Sequence, residues 1–530
     1  MKRCPECRRT YSDDSLKFCL DDGDLLVDGP GLIDGPTEIF QDITQFETAP
    51  WRDRHLPKAI EPTHKYISAD VEKSIAVLPF ANVSADVENE YFCDGLAEEL
   101  INSLSKIEAL RVAARTSSFS FKGKNVDIRE IGEKLRVGIV LEGSVRKSGS
   151  HLRIAAQLIS ANNGYQIWSE KYDRELEDIF DVQDEIALAI IDALKVKLIG
   201  KDKTRVAQRY TDNPEAYELY LKGRFHLNKW TADGLDRAIE CFSSAVELDP
   251  KFAQAFSGLA DCYSSLSMEA TGVSPAESAP KAKDAVFKAL ALDDSLAEAH
   301  TSLGLIKMTF DWDWPAVESE LKRALELDPN YVAAHHWYSH YLVLMDQMEM
   351  SEAISKRALE LDPLDLEINA HLAWHYYSAG DFDAAEKQAL KTIEMDANFH
   401  EAHWFLGCVY MHLKKYDEAA AEFSKAVTCS GSSPRMLAEL GSAYGYMGKT
   451  GEARRILDRL NELALTTYVA PYNFALLYTG LGDLEKALDW LESSRDDRNS
   501  LLIYLRTEHQ FAPLRSDSRF GEIVRSIGLF

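Results

Sequence analysis
Several hydrophobic patterns follow one another along the chain. "SIAVLPF" (Ser74–Phe80) is a short apolar run bounded by proline and predicts a strand. In Cys93–Ile107 the apolar residues Leu96, Leu100, Leu104 and Ile107 recur at helical spacing and form one stripe. "LRVAAR" (Leu110–Arg115) predicts a second strand and "DIREIGEKL" (Asp127–Leu135) a second helix. Val137–Asp173 predicts three strands joined by Gly/Ser and Asn-Asn-Gly turns. Within it Leu152, Ile154, Ala156 and Leu158 alternate with Arg153, Ala155 and Gln157, as in a strand with one covered face. Ile179–Leu198 predicts a long closing helix. Residues 29–71 have neither period and carry Pro30, Pro36, Pro50, Pro57 and Pro62, which predicts a flexible tether.

Beyond residue 205 the helical pattern repeats. "RALELDP" occurs at Arg323–Pro329 and again, unchanged, at Arg357–Pro363. Related blocks lie at Ala245–Pro250, Ala289–Asp294 and Thr392–Ala397, and the period is carried on by Ala419, Ala453 and Ala487. The best unit is His400–Gly431, with Leu406, Gly407, Tyr410, Ala419, Phe423 and Ala426 in register. This resembles the tetratricopeptide repeat, which implies two antiparallel helices per unit. Small residues such as Gly407 and Ala419 let helices approach, while Tyr410 and Phe423 fill the space beside them. A proline after "LELD" marks the boundary between units. One hairpin cannot bury its apolar face, so the units must stack. About eight fit within 205–497, with 498–530 expected as capping helices. The first has a lengthened turn (His226–Asp236). The second carries extra residues around Met268–Pro280, and the fourth has Ser351 and Ser355 where alanine and an aromatic are usual.

The first 28 residues hold Cys4, Cys7 and Cys19 at metal-ligand spacing, with Asp22 where a fourth cysteine would stand. The segment resembles small zinc ribbons of the form "CPxC…FCxxDG". That resemblance implies a structural Zn²⁺ held by Cys4, Cys7, Cys19 and Asp22, with Asp21 or water as the alternative fourth ligand. A segment this short needs such a staple to hold a fold. The region 72–200 resembles the TolB amino-terminal and FlgO-like domains through "SIAVLPF", "YFCDGLAEELINSLSK", "LEGSVRKSG", "LRIAAQLI" and "WSEKYDRELEDIFDVQDEIA". The resemblance implies an α/β (α+β) fold and no catalytic residues. The expected architecture is thus multidomain: zinc ribbon (1–28), tether (29–71), α/β domain (72–200) and all-α repeat solenoid.

Composition narrows function. The 530 residues carry a formal net charge of −27, with 27% charged and 46% hydrophobic residues. That acidity argues against nucleic acid and anionic lipid as partners. The chain lacks an apolar run long enough to span a membrane and begins without a signal-peptide pattern, so the expected location is the cytoplasm of a bacterium. "SFKGKN" (Ser120–Asn125) lacks the earlier glycine and following Ser/Thr of a phosphate loop, and kinase motifs are missing. Asp94, Glu98, Glu142 and Arg146 are expected to face solvent rather than form an active site. His336/His340 and His371/His375 are i,i+4 pairs that could chelate a metal, but no carboxylate or thiol completes a site in sequence.

In the tetratricopeptide family the first helices line a concave groove that holds extended peptides. Carrying the register across puts His336, His340, His371, Trp374, Tyr377, Trp404, Phe405, His412, Tyr446 and Tyr472 on or near it. Few lysines or arginines occupy those places. The expected ligand is an aromatic-rich peptide or helix, with affinity falling as the histidines charge below pH ~6.5. The expected function is a non-enzymatic protein-interaction scaffold in bacterial signalling, of unassigned oligomeric state. The alternatives are a regulatory enzyme acting through the α/β domain and a component of transcriptional control.

Overall fold
In the computed structural model the chain divides into two compact units, Met1–Tyr66 and Ile67–Phe530. The structure describes residues 73–84, 86–107, 109–175, 178–194, 211–268 and 272–529, together with three two-residue strands of the first unit. Those are β1 (Lys2–Arg3), β2 (Thr10–Tyr11) and β3 (Val27–Asp28), with β1 antiparallel to both others. Cys4, Cys7, Cys19 and Asp22, and the expected tether, lie outside the described residues.

The second unit starts with a mixed sheet. Its first elements are β4 (Ser74–Val77), β5 (Ala81–Asn82), α1 (Glu90–Ser105), β6 (Arg111–Val112), α2 (Arg115–Phe119) and α3 (Ile128–Leu135). They are followed by β7 (Ile139–Ser148), β8 (His151–Ser160), β9 (Gln166–Glu175) and α4 (Ile179–Ala193). Strand order is β6-β4-β7-β8-β9. β4 runs parallel to β6 and β7, whereas β7, β8 and β9 form an antiparallel meander. Leu152, Ile154, Ala156 and Leu158 of β8 are all buried, and they join α1 and α4 in one apolar cluster. The opposite face, with Ala76 and Val140, packs on Ile131 and Leu135 of α3.

Among the described residues, sixteen helices follow as eight pairs. The first four pairs are α5 (Pro214–Leu227) with α6 (Ala232–Leu248), α7 (Ala253–Met268) with α8 (Pro275–Leu292), α9 (Ala297–Ile306) with α10 (Trp314–Leu327), and α11 (Val332–Leu344) with α12 (Met348–Leu361). The rest are α13 (Leu366–Ser378) with α14 (Phe382–Met395), α15 (His400–His412) with α16 (Tyr416–Cys429), α17 (Pro434–Tyr446) with α18 (Thr450–Ala464), and α19 (Pro471–Leu481) with α20 (Leu484–Asp496). Within a pair the fit is close. A Cβ on Gly407 would lie 2.4 Å from the ring of Phe423, which is itself fully buried. Truncating such a phenylalanine costs about 3–5 kcal/mol.

The second helices of the first five pairs stop at an aspartate whether or not proline follows: Asp249, Asp293, Asp328, Asp362 and Asp396, all but Asp362 in extended conformation. In four of these the carboxylate accepts the N–H two residues on, at Lys251, Ser295, Asn330 and Asn398. That side-chain turn ends the helix even at Asp293 and Asp396, where proline is absent.

The solenoid curls until its ends meet. Tyr468 N donates to Gly272 O (3.2 Å), joining the loop of the second pair to the start of the eighth. Beyond α20 come two 3₁₀ segments, Ser500–Tyr504 and His509–Leu514, and a last helix, α21 (Ser518–Ser526). Trp314 Nε1 of α10 donates to Ile527 O (2.8 Å). Residues 498–530 therefore do more than cap the last pair.

The sheet domain and solenoid share one core. A single apolar cluster runs from Ile75 through α1 to Tyr217, Leu221, Phe242 and Phe310. Gly95 of α1 is needed for that approach, since a Cβ there would come within 2.8 Å of Leu221. Asp94 and Glu98 are buried in this seam, contrary to the solvent-facing position expected, because α1 is covered by the sheet on one side and α5 on the other. Lys122 Nζ lies 2.6 Å from Asp94 Oδ2. Glu98 meets Arg115 Nε at 2.7 Å and Arg224 Nη2 at 2.6 Å, and accepts from Asn228 Nδ2 at 3.1 Å. Glu142 is half-buried beside Gln157, and Arg146 alone of the four is exposed.

Candidate functional site
The first helices α11, α13, α15, α17 and α19 turn one face toward the inside of the curl. All but Tyr446 of the side chains assigned there from sequence contact the chain's own C-terminal segment or one another by ring packing, and Tyr446 reaches that segment by a hydrogen bond. His336, His340, Trp374, Tyr377, Phe405 and Tyr472 are buried. His371, Trp404 and Tyr446 are half-buried, and His412 is exposed.

The burial comes from residues 498–514. Arg498 Nη1 donates to Phe310 O (2.9 Å) and Arg506 Nη2 to Leu344 O (2.9 Å). Tyr504 packs edge-on against Trp374, with centroids 5.1 Å apart. His509 lies 4.7 Å from the rings of both Tyr377 and His412. Tyr446 Oη donates to Gln510 O (3.1 Å), and Phe511 packs edge-on against Tyr472 at 5.3 Å. A segment without helical or strand period thus fills much of the groove.

At its centre is a polar cluster. Arg435 Nη2 of α17 lies 2.8 Å from Glu439 Oε1 and 3.4 Å from Glu508 Oε2. Its guanidinium also stands over the rings of Trp404 (5.0 Å) and Tyr472 (4.8 Å). Trp404 Nε1 donates to Glu439 Oε1 (2.9 Å), and Gln510 Nε2 to Glu439 Oε2. Burial, reinforced by the Glu439 carboxylate, pushes Glu508 up to about 7 against the pull of Arg435. Sequence reasoning missed Arg435 and Glu439. Their i,i+4 spacing at the start of a first helix was the available signal.

Deeper in, a second cluster joins α11 and α13. His371 Nδ1 lies 3.1 Å from His336 Nε2, and the His340 ring is 4.6 Å from that of His371. Ser355 Oγ of α12 lies 2.8 Å from His375 Nδ1, and Ser351 Oγ lies 3.3 Å from the same atom. The two serines that break the repeat pattern therefore hold a histidine of the next repeat. Burial drives His371 down to about 3, and drives His340 and His375 well below the ordinary range, with neighbouring imidazoles adding to it. At these three rings the shift runs against the charging expected below pH ~6.5.

Beside the segment remains a cavity of ≈ 630 Å³. His340, His371, Glu401, Trp404 and Arg435 line it from the solenoid, and Tyr504 and Glu508 from the C-terminal segment. Cys408 also borders it. Burial and the nearby Glu439 hold its thiol well above the ordinary range, so it is protonated and a weak nucleophile. The Ser355–His375 pair lies outside the cavity lining. What the site offers is aromatic surface, one guanidinium and neutral imidazole, which suits recognition of aromatic and anionic groups.

Residues 371–434 match the tetratricopeptide repeat family, and residues 71–189 match the HilA/YgeH-like transcriptional regulator, second domain. The latter covers most of the region 72–200, for which a TolB amino-terminal or FlgO-like domain is expected from sequence. A putative adenylate cyclase 3 of Rhizobium meliloti (strain 1021) is 45% identical over 186 residues, 35% of this chain and 32% of that protein. Transcriptional regulator HilA of Salmonella typhimurium is 23% identical over 280 residues, 52% of this chain and 48% of its own length. The chain thus spans about a third to a half of these relatives. A tetratricopeptide repeat protein from Parabacteroides merdae ATCC 43184 superposes with a TM-score of 0.38 at 13% identity, covering 51% of this chain and 100% of that one.

Proposed function
We propose that the chain is a non-catalytic regulatory scaffold of bacterial signalling, working in the cytoplasm, whose concave solenoid face captures an aromatic and acidic segment of a partner protein. The observation that carries this reading is the seating of residues 498–514 in the groove by Tyr504, Glu508 and Phe511. A partner segment would bring a ring to Trp374, a carboxylate to Arg435 and a second ring to Tyr472, displacing the chain's own. In the same reading Cys4, Cys7, Cys19 and Asp22 hold a structural Zn²⁺.

The test is a fluorescent peptide with the sequence of residues 499–515, titrated into the full chain and followed by anisotropy. The wild-type chain should bind it weakly. A Tyr504→Ala/Phe511→Ala chain, checked for intact helicity, should bind about tenfold tighter, because the competing segment no longer holds its place. A peptide that binds neither chain, or both equally, overturns the reading.

A second reading is that the α/β domain serves as the control side of an enzyme or transcriptional regulator. It is favoured by one observation: relatives named as an adenylate cyclase and as a transcriptional regulator both share stretches with this chain. Turnover of ATP to cyclic AMP by the purified full chain would support this alternative and overturn the non-catalytic reading.

A further inference from the structure
Three imidazoles from two neighbouring repeats meet behind Trp374. His336 and His340 stand one turn apart on α11, and His371 comes from α13. One ligand atom from each can be chosen so that all lie within 4.8 Å of one another. The His340 ring is 1% exposed, and neither of its nitrogens has a hydrogen-bond partner. A buried imidazole with both nitrogens unmet is unfavourable unless something else meets them. Two carboxylates absent from the sequence pattern are supplied by the fold. Glu367 Oε1 lies 3.6 Å from His336 Nε2, and Glu401 Oε2 lies 3.8 Å from His371 Nε2.

We propose that His336 Nε2, His340 and His371 Nδ1, with Glu367 as fourth ligand, bind one divalent transition-metal ion of the Zn²⁺ class. The donor set of imidazoles and one carboxylate suits Zn²⁺, Co²⁺ or Ni²⁺ rather than Mg²⁺ or Ca²⁺. Ligands about 2.0–2.1 Å from a tetrahedral ion are about 3.4 Å apart. The 3.1 Å between His371 Nδ1 and His336 Nε2 already approaches that spacing. Glu401 faces the ring nitrogen of His371 that is not turned to His336, where it acts as a positioning residue for the ligand. The ion fixes α11 against α13 at the cavity wall, behind the tryptophan on which Tyr504 rests.

Without an ion, the 3.1 Å contact is a hydrogen bond between the two rings, and metal titration distinguishes the two cases. The protein to use is the full chain with Cys4→Ser, Cys7→Ser and Cys19→Ser, so that the N-terminal thiols contribute no site. Titration with Co²⁺ should saturate at one ion per chain, giving visible d–d absorption without a thiolate charge-transfer band. Zn²⁺ should displace the Co²⁺ and raise the thermal midpoint. Adding His340→Leu should leave the metal-free midpoint unchanged or higher, yet abolish the metal-induced rise and weaken binding about a hundredfold or more. Glu367→Gln should weaken binding about tenfold and serves as the second variant if the leucine chain does not fold. A folded triple-serine chain that takes up neither Co²⁺ nor Zn²⁺ at millimolar ion overturns the proposal. So does unchanged affinity in His340→Leu or, should that chain not fold, in Glu367→Gln.

Discussion

Glu98, in the seam between sheet and solenoid, and Glu508, in the groove, are both buried carboxylates that face arginine. Their surroundings differ in the balance of charge around each. Burial alone would raise Glu98, but the guanidiniums of Arg224 and Arg115 outweigh it and hold the carboxyl below its ordinary value. Glu508 shares the single guanidinium of Arg435 with Glu439, and it is raised. At Glu98 two guanidiniums are enough to favour the ionised carboxylate, although burial raises its seam neighbours Asp94 and Glu99; at Glu508 one shared guanidinium is not. The ion triad at Glu98 therefore favours a closed join, whereas Glu508 favours the protonated form. This matches what each contact does: the seam unites two layers of fold, and the groove holds a segment that a partner has to displace.

The largest expected effect breaks the seam. Glu98→Ala leaves the half-buried Arg224 and Arg115 without the carboxylate they share and should cost about 3 kcal/mol in chemical denaturation. A loss below about 1 kcal/mol would mean that apolar packing alone holds the two layers together.

Arg435→Met should act more locally, because it removes the guanidinium that Glu439 and Glu508 share. Hydrogen exchange should show residues 499–514 losing protection about tenfold or more, while α5 to α8 keep theirs. Equal loss in both regions would erase the distinction drawn between them.

The smallest effect sharpens the comparison through pH. Glu508 holds its proton more tightly when seated than when released, so protonation favours seating. Its contribution is complete below the released-state value of 4.5 and is lost as pH rises through 7. His509 opposes this at the acid end. Burial, with His412 beside it, lowers His509 to about 4, so its share is complete above 6.5 and lost as pH falls through 4. Replacing Glu508 isolates the first term. In Glu508→Gln, protection of residues 499–514 should be flat between pH 6 and 8, where the wild type loosens by a few-fold on the alkaline side. A wild type equally flat over that range would remove the pH argument.

Much of this could be read from the chain. The stripe Leu96, Leu100, Leu104, the alternation in β8 and the 34-residue recurrence each report a local period that one element can satisfy by itself. The groove's aromatic and imidazole character was legible for the same reason, since register on a first helix fixes its face. The occupant was not legible. Residues 498–514 carry no period, and their partners are drawn from helices spread over more than a hundred residues. The burial of Asp94 and Glu98 was hidden too. A stripe shows which face of a helix is apolar, but it says nothing of a second layer arriving on the polar side.

The two copies of "RALELDP" mark the limit. In each, the sequence alone decides that a helix ends at an aspartate, because that carboxylate and the following proline stop the backbone locally. At Asp328 the carboxylate takes Asn330 N, as a local turn would, and also meets Ser105. At Asp362 the sheet domain intrudes. Ser117 N donates to Asp362 Oδ1, and Leu364 N donates to Ser117 Oγ, so the local turn is traded for a bond to a residue 245 positions away. Identical letters have identical propensities. Only the tertiary arrangement, which sets what lies across from each corner, determined that one kept its local turn while meeting Ser105 and the other gave the turn up for Ser117.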